Sequence, residues 1–118
     1  MSCVVDWEFS GRHQSGEFLT SKEIEALIAL NEQDLEDAHW ECGDEYLTSF
    51  CTESYGAVER IRKTLDDFAG RFPDVRLFVT YRYETAVCPD GFITEGGKVR
   101  EITGNVVYTY DDTLEEVV

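Results

Sequence analysis

The sequence predicts an α+β protein in which two amphipathic helices cover one antiparallel sheet. Three observations predict it. Cys3, Val5, Trp7 and Phe9 alternate with Val4, Asp6, Glu8 and Ser10, the period-two pattern of a strand with one face in the core. Val58, Ile61, Leu65, Phe68 and Phe72 recur at spacings of three and four, the period of a helix with one buried face. From Val75 onward alternation returns, interrupted by glycines that mark hairpin turns.

The first strand is expected over residues 3–9, and the polar stretch Gly11 to Gly16 as a turn. Thr20-Ser21-Lys22-Glu23 fits a capping box, with Thr20 capping the helix and Glu23 reaching back to its amide. A helix should follow to about Asn31, burying Ile24, Leu27, Ile28, Ala29 and Leu30 and leaving Glu23, Glu25 and Glu32 in water. Residues 32–37 show no period. His39-Trp40-Glu41-Cys42 reads as a short strand entering Gly43-Asp44, and Tyr46 to Thr52 as a second, forming a hairpin or one long bent strand. The second helix runs from Tyr55 to about Gly70, where Pro73 forbids continuation.

Val75, Leu77, Val79, Tyr81 and Tyr83 alternate with Arg76, Phe78, Thr80, Arg82 and Glu84, and the apolar character on both faces suits a central strand. Cys88-Pro89-Asp90-Gly91 is a turn, Phe92 to Glu95 and Lys98 to Thr103 flank the hairpin Gly96-Gly97, and Val106 to Tyr110 is a last strand before a frayed acidic tail, 111–118. This order suggests a ferredoxin-like sandwich, two helices packed on one antiparallel sheet with an extended C-terminal meander.

At 118 residues the chain has room for one domain, and an apolar fraction of 42% with 15 aromatics allows a packed core. The start has no basic n-region and no apolar run is long enough to cross a bilayer, so a cytoplasmic protein with no membrane contact is expected. Cys3, Cys42, Cys51 and Cys88 are widely and irregularly spaced and read as free thiols, and His39 with Cys42 is too small a set for zinc. No nucleotide-binding or hydrolytic motif occurs, and His13 and His39 sit in no catalytic constellation. Neither Asp34, Glu36 and Asp37 nor Asp111 and Asp112 follow a calcium-loop pattern. The expectation is a protein that is not an enzyme and needs no cofactor or metal.

Phe72-Pro73-Asp74-Val75, the alternating strand to Tyr83-Glu84, and then Gly91, Gly96 and Gly97 resemble the ferredoxin-like domain of small YubB-type proteins carried by phages and plasmids. The resemblance spans roughly residues 55–110. It implies a fold and a mobile-element origin, and it brings no catalytic residues.

Charge carries the functional reading. Between Lys22 and Arg60 lie eleven carboxylates and no lysine or arginine, within a net charge of −15. Concentrated like charge repels itself, so solubility alone would disperse it. Direct nucleic-acid binding is excluded on the same ground, since phosphate affinity rests on lysine and arginine. Phe78, Tyr81 and Tyr83 then read as packing residues. A dense acidic surface instead suits a basic one, above all a cleft that holds DNA or RNA. The predicted contact residues are Glu32, Asp34, Glu36, Asp37, Glu41, Asp44, Glu45 and Glu53, with Trp40 and Tyr46 as anchors or core.

The expected partner is a basic nucleic-acid-binding complex, a CRISPR effector first and a restriction enzyme next, inhibited by nucleic-acid mimicry in the host cytoplasm. An immunity protein or antitoxin that covers a basic nuclease has the same physics. A small enzyme or metal protein is the third reading, and acidity as adaptation to high salt is the bland one. Exposed strand edges leave a dimer open.

Overall fold

The computed structural model of the chain describes residues 4–53, 56–84, 86 and 88–103. Eight elements follow in order: β1 (Val5–His13), α1 (Ser21–Leu30), α2 (Glu32–Leu35), β2 (Tyr46–Thr52), α3 (Gly56–Arg71), β3 (Val75–Tyr83), β4 (Asp90–Glu95) and β5 (Lys98–Ile102). The strands form one antiparallel sheet in the order β2-β1-β3-β4-β5. This is an α+β architecture with β3 at the centre, as the apolar character of both its faces suggests. The element order is β-α-α-β-α-β-β-β, with a single strand between the helical segments, where the ferredoxin-like pattern β-α-β-β-α-β has two.

One face of the sheet carries the core. Val5, Trp7 and Phe9 of β1, Val75, Leu77 and Val79 of β3, Phe92 of β4 and Leu47 of β2 are buried against Ile24 and Leu27 of α1, Leu35 of α2 and Ile61, Leu65 and Phe68 of α3. The α1 cap is the predicted box: the Glu23 amide donates to Thr20 Oγ1 and the Thr20 amide donates to Glu23 Oε1. Polar groups that enter the core are satisfied there. Trp7 Nε1 donates to Thr52 Oγ1 at 3.0 Å, and the Leu77 amide donates to Thr94 Oγ1 at 2.9 Å where the β3–β4 pairing ends.

Three local expectations are corrected. The stretch Gly11 to Gly16 is not all turn, because β1 continues through His13 paired to β3. Gly11 lies within that strand for reasons of space: a Cβ there would stand 2.7 Å from the Arg76 carbonyl and from Leu77 Cδ2. Residues 32–35 form a short helix capped by Asn31, whose Oδ1 accepts the Asp34 amide. Residues 39–42 are not a strand. They run beside β2 and are tied to it by the Glu41 amide donating to the Leu47 carbonyl at 2.7 Å and by Thr48 Oγ1 donating to the His39 carbonyl at 2.6 Å. Cys3, the expected strand 106–110 and the tail 111–118 lie outside the described residues.

Candidate functional site: an acidic ledge beside the edge strand

The predicted acidic residues come from α2, the connection to β2, and β2's ends. Glu32 and Glu36, four residues apart on one turn of helix, are exposed, as are Asp37 and Glu53. None of these four carboxylates has an ion-pair partner among the described residues. Asp37 and Glu53 line a common depression of about 430 Å³ with Gln33, Asp34 and Arg60. The fold brings this group together because α2 ends where β2 hands over to α3.

Asp34 plays a different part. Its side chain is 5% exposed, Arg60 Nε and Nη2 donate to its two oxygens at 2.8 and 2.9 Å, and Asn31 Nδ2 adds a third donor at 2.8 Å. Burial pushes its pKa up, but the hydrogen bonds and charge of Arg60 and the Asn31 bond outweigh that, and the carboxyl is held below its usual range. This pair locks α2 to the first turns of α3 and occupies both carboxylate oxygens. Asp34 is therefore the internal brace of the ledge rather than part of its outer surface.

Trp40 is likewise turned inward. It packs edge-on to Phe9 at 5.4 Å and donates from Nε1 to the Leu35 carbonyl at 3.0 Å. Glu41 is exposed beside His39, at 2.9 Å from its Nε2. Asp44 and Glu45 lie at the opposite end of β2 from Glu53. Glu45 accepts from Arg12 Nε at 2.9 Å and Asp44 accepts the Tyr46 amide at 3.4 Å. At about 3.3 Å per residue, the two ends are roughly 26 Å apart. The structure thus splits the predicted set into Asp37 and Glu53 around one depression braced by Asp34, Glu32 and Glu36 exposed beside it on the α2 segment, a middle residue, Glu41, and a distant pair, Asp44 and Glu45.

A second cluster was hidden in the sequence. His13, at the end of β1, holds Glu23 Oε1 at 2.8 Å from Nε2 and Asp74 Oδ2 at 3.0 Å from Nδ1, joining the start of α1 to the turn before β3. The hydrogen bond to Glu23 leads in raising its pKa, with Asp74 adding to it against the opposing effect of burial. Its partners lie 10 and 61 residues away, and only the capping box hinted at Glu23's place. With both ring nitrogens held by carboxylates, His13 is a clamp and has no nitrogen left to act as a general base. Tyr81, which burial chiefly pushes up to about 12, stays a neutral phenol at physiological pH. Among the described residues no group of three or more histidine, cysteine or carboxylate side chains is arranged to hold a metal ion. No helix among them is long and apolar enough to cross a membrane.

No protein-family model matches the chain, and no curated protein or solved structure is found to be similar to it.

Proposed function

We propose that the protein works by binding, without catalysis, and that its acidic ledge docks on a basic surface that ordinarily holds DNA or RNA, inhibiting the partner by occupying that site. The observation that carries this reading is the segregation of charge. Asp37 and Glu53 stand exposed around one depression, Glu32 and Glu36 are exposed on the adjoining α2 segment, and the guanidinium that lines the depression, Arg60, is already bound by Asp34. Half of the chain's ten lysines and arginines, Arg12, Arg76, Arg82, Lys98 and Arg100, sit instead on the face of the sheet that none of the described helices covers. A cluster of unneutralised carboxylates attracts guanidinium and ammonium groups over a Debye length and sets the orientation of encounter.

The preferred target is a nucleoprotein defence complex, a CRISPR effector before a restriction enzyme, which would place the action in the cytoplasm of a host cell. The YubB-type resemblance supports the mobile-element side of this proposal. A ferredoxin-like kinship belongs with it as a likeness of layers, helices on one face of an antiparallel sheet, rather than of strand order.

Replacing Glu36, Asp37 and Glu53 together by lysine should abolish capture of the nucleic-acid-binding partner while leaving the fold intact, since all three are exposed and unpaired among the described residues. Capture that survives this reversal, measured by pull-down against a folded control, would move the contact elsewhere.

A further inference from the structure

The face of the sheet that none of the described helices covers carries a row of side chains that the acidic ledge does not use. Its register can be followed across all five strands: Tyr46 of β2 opposite Ser10 of β1, Ser10 opposite Phe78 of β3, Phe78 opposite Ile93 of β4, and Ile93 opposite Arg100 of β5. Successive strands lie about 4.8 Å apart, so the row is about 19 Å long. Tyr46 is 44% exposed and Phe78 42%, two of the three large apolar side chains most exposed among the described residues. The third, Phe18, lies at the row's border, beneath the Arg12 guanidinium at 4.8 Å. An unpaired large aromatic at the centre of a sheet face costs free energy in water unless something covers it.

The border of this row is basic. Arg12 and Arg76 are cross-strand neighbours, Lys98 lies opposite Glu95, and Arg76 reaches Glu95 at 3.5 Å. Two like charges placed side by side are unfavourable on an antiparallel pair, and among the described residues Glu45 and Glu95 offset them. Counting Arg100, the row and this side of it carry four bases against two acids, with Glu8 on the row's other side, in a molecule of net charge −15. A depression of about 430 Å³ opens on the same residues, lined by Ser10, Arg12, Glu45, Arg76, Phe78 and Ile93. Exposed aromatic and branched aliphatic side chains with arginines at the rim are the composition of a protein interface centre.

We propose that this row is a second docking surface, for a protein segment that presents apolar side chains next to carboxylates. The apolar groups cover Phe78, Ile93 and Tyr46, and the carboxylates meet Arg100 and Lys98, neither of which has an ion-pair partner among the described residues. A single-stranded nucleic acid fits the aromatics less well than it first suggests. Arg12 and Arg76 are already engaged by carboxylates, which leaves few bases for a phosphate track, and the field of the whole molecule repels a polyanion. The surface is opposite in character to the acidic ledge, so the protein would join two unlike partners, or two unlike parts of one.

The test is a display library of random short peptides selected on the full-length protein. The expected result is an enriched class containing aliphatic or aromatic residues beside aspartate or glutamate. Its affinity should fall about tenfold or more in Phe78→Ser and in Arg100→Glu, as for loss of an anchor, and should not change when Glu36 and Asp37 are replaced by lysine. Both face variants alter exposed side chains, and thermal melts check that they fold. Absence of such a class, or affinity indifferent to both face variants, would overturn the proposal. So would Phe78-dependent binding of labelled oligo-dT or oligo-rU, which would make the face a nucleic-acid platform, and so would a Phe78-dependent dimer in sedimentation equilibrium, which would assign it to a second copy of the chain.

Discussion

At the scale of single residues, identical chemistry is put to opposite uses by burial. Asp34 and Asp37 are three residues apart, yet Asp34 is enclosed by Arg60 and Asn31 while Asp37 is exposed. Asp34→Asn should therefore cost about 1–3 kcal/mol in urea denaturation, the usual loss when a buried charged group loses its hydrogen-bond partner. Asp37→Asn should leave stability unchanged or raise it slightly by relieving repulsion; equal effects would show that the Asp34–Arg60 pair is not a brace. His13 makes a second residue-scale prediction. A raised pKa in the folded state means that its contribution is fully present below its ordinary value of 6.5 and is lost as pH rises through the raised value. The urea midpoint should fall over that interval above pH 6.5 in the natural protein and stay flat there in His13→Gln. A fall of equal size in both would remove the clamp from the account. Neither role was visible in the chain: Asp34 stood among eleven alike carboxylates, and the partners that distinguish it and His13 arrive from distant segments.

At the scale of elements, periodicity was a good guide wherever one face is buried against a continuous partner. The helix anticipated over 55–70 is α3, Gly56–Arg71, with Ile61, Leu65 and Phe68 fully buried along the predicted stripe. Ile61→Ala or Phe68→Ala should destabilise by about 2–5 kcal/mol through lost contact and the cavity left behind, measured by chemical denaturation. A stability close to that of the natural protein in either would show that the α3 face is assigned wrongly. Gly11 shows where local signals fail. A glycine in a polar stretch reads as a turn, but the close approach of β3 requires glycine inside a strand. Gly11→Ala should then be destabilising, with an expected loss on thermal melting; an unchanged melt would mean that the β1–β3 approach relaxes easily. The stretch 39–42 failed for a related reason. Its alternation comes from Trp40 turning inward while its neighbours stay exposed, and the short ties to β2 at Leu47 and Thr48 are not a ladder.

At the scale of the whole molecule, charge and apolar surface are distributed unevenly over two faces. The sequence showed how much charge there is and in which segment, and the alternation of Arg76, Phe78, Thr80 and Arg82 was legible along β3. What no single segment reveals is the register that lines Phe78 up with Tyr46 and Ile93, because it depends on pairing between strands far apart in the chain. Self-repulsion at −15 also predicts that moderate salt raises the melting temperature, since screening weakens like-charge contacts within the ledge. A melting temperature that falls with salt would mean that the ion pairs outweigh the repulsion.

Occupation of a nucleic-acid site by the ledge can be seen by immobilising the protein, passing a bacterial lysate over it at low and then moderate salt, and challenging what remains with the retained complex's own DNA or RNA. A specific nucleic-acid-binding complex should be retained at moderate salt and released by that nucleic acid. Retention of only a salt-labile mixture of basic proteins, or of a complex that its nucleic acid does not displace, would contradict that occupation.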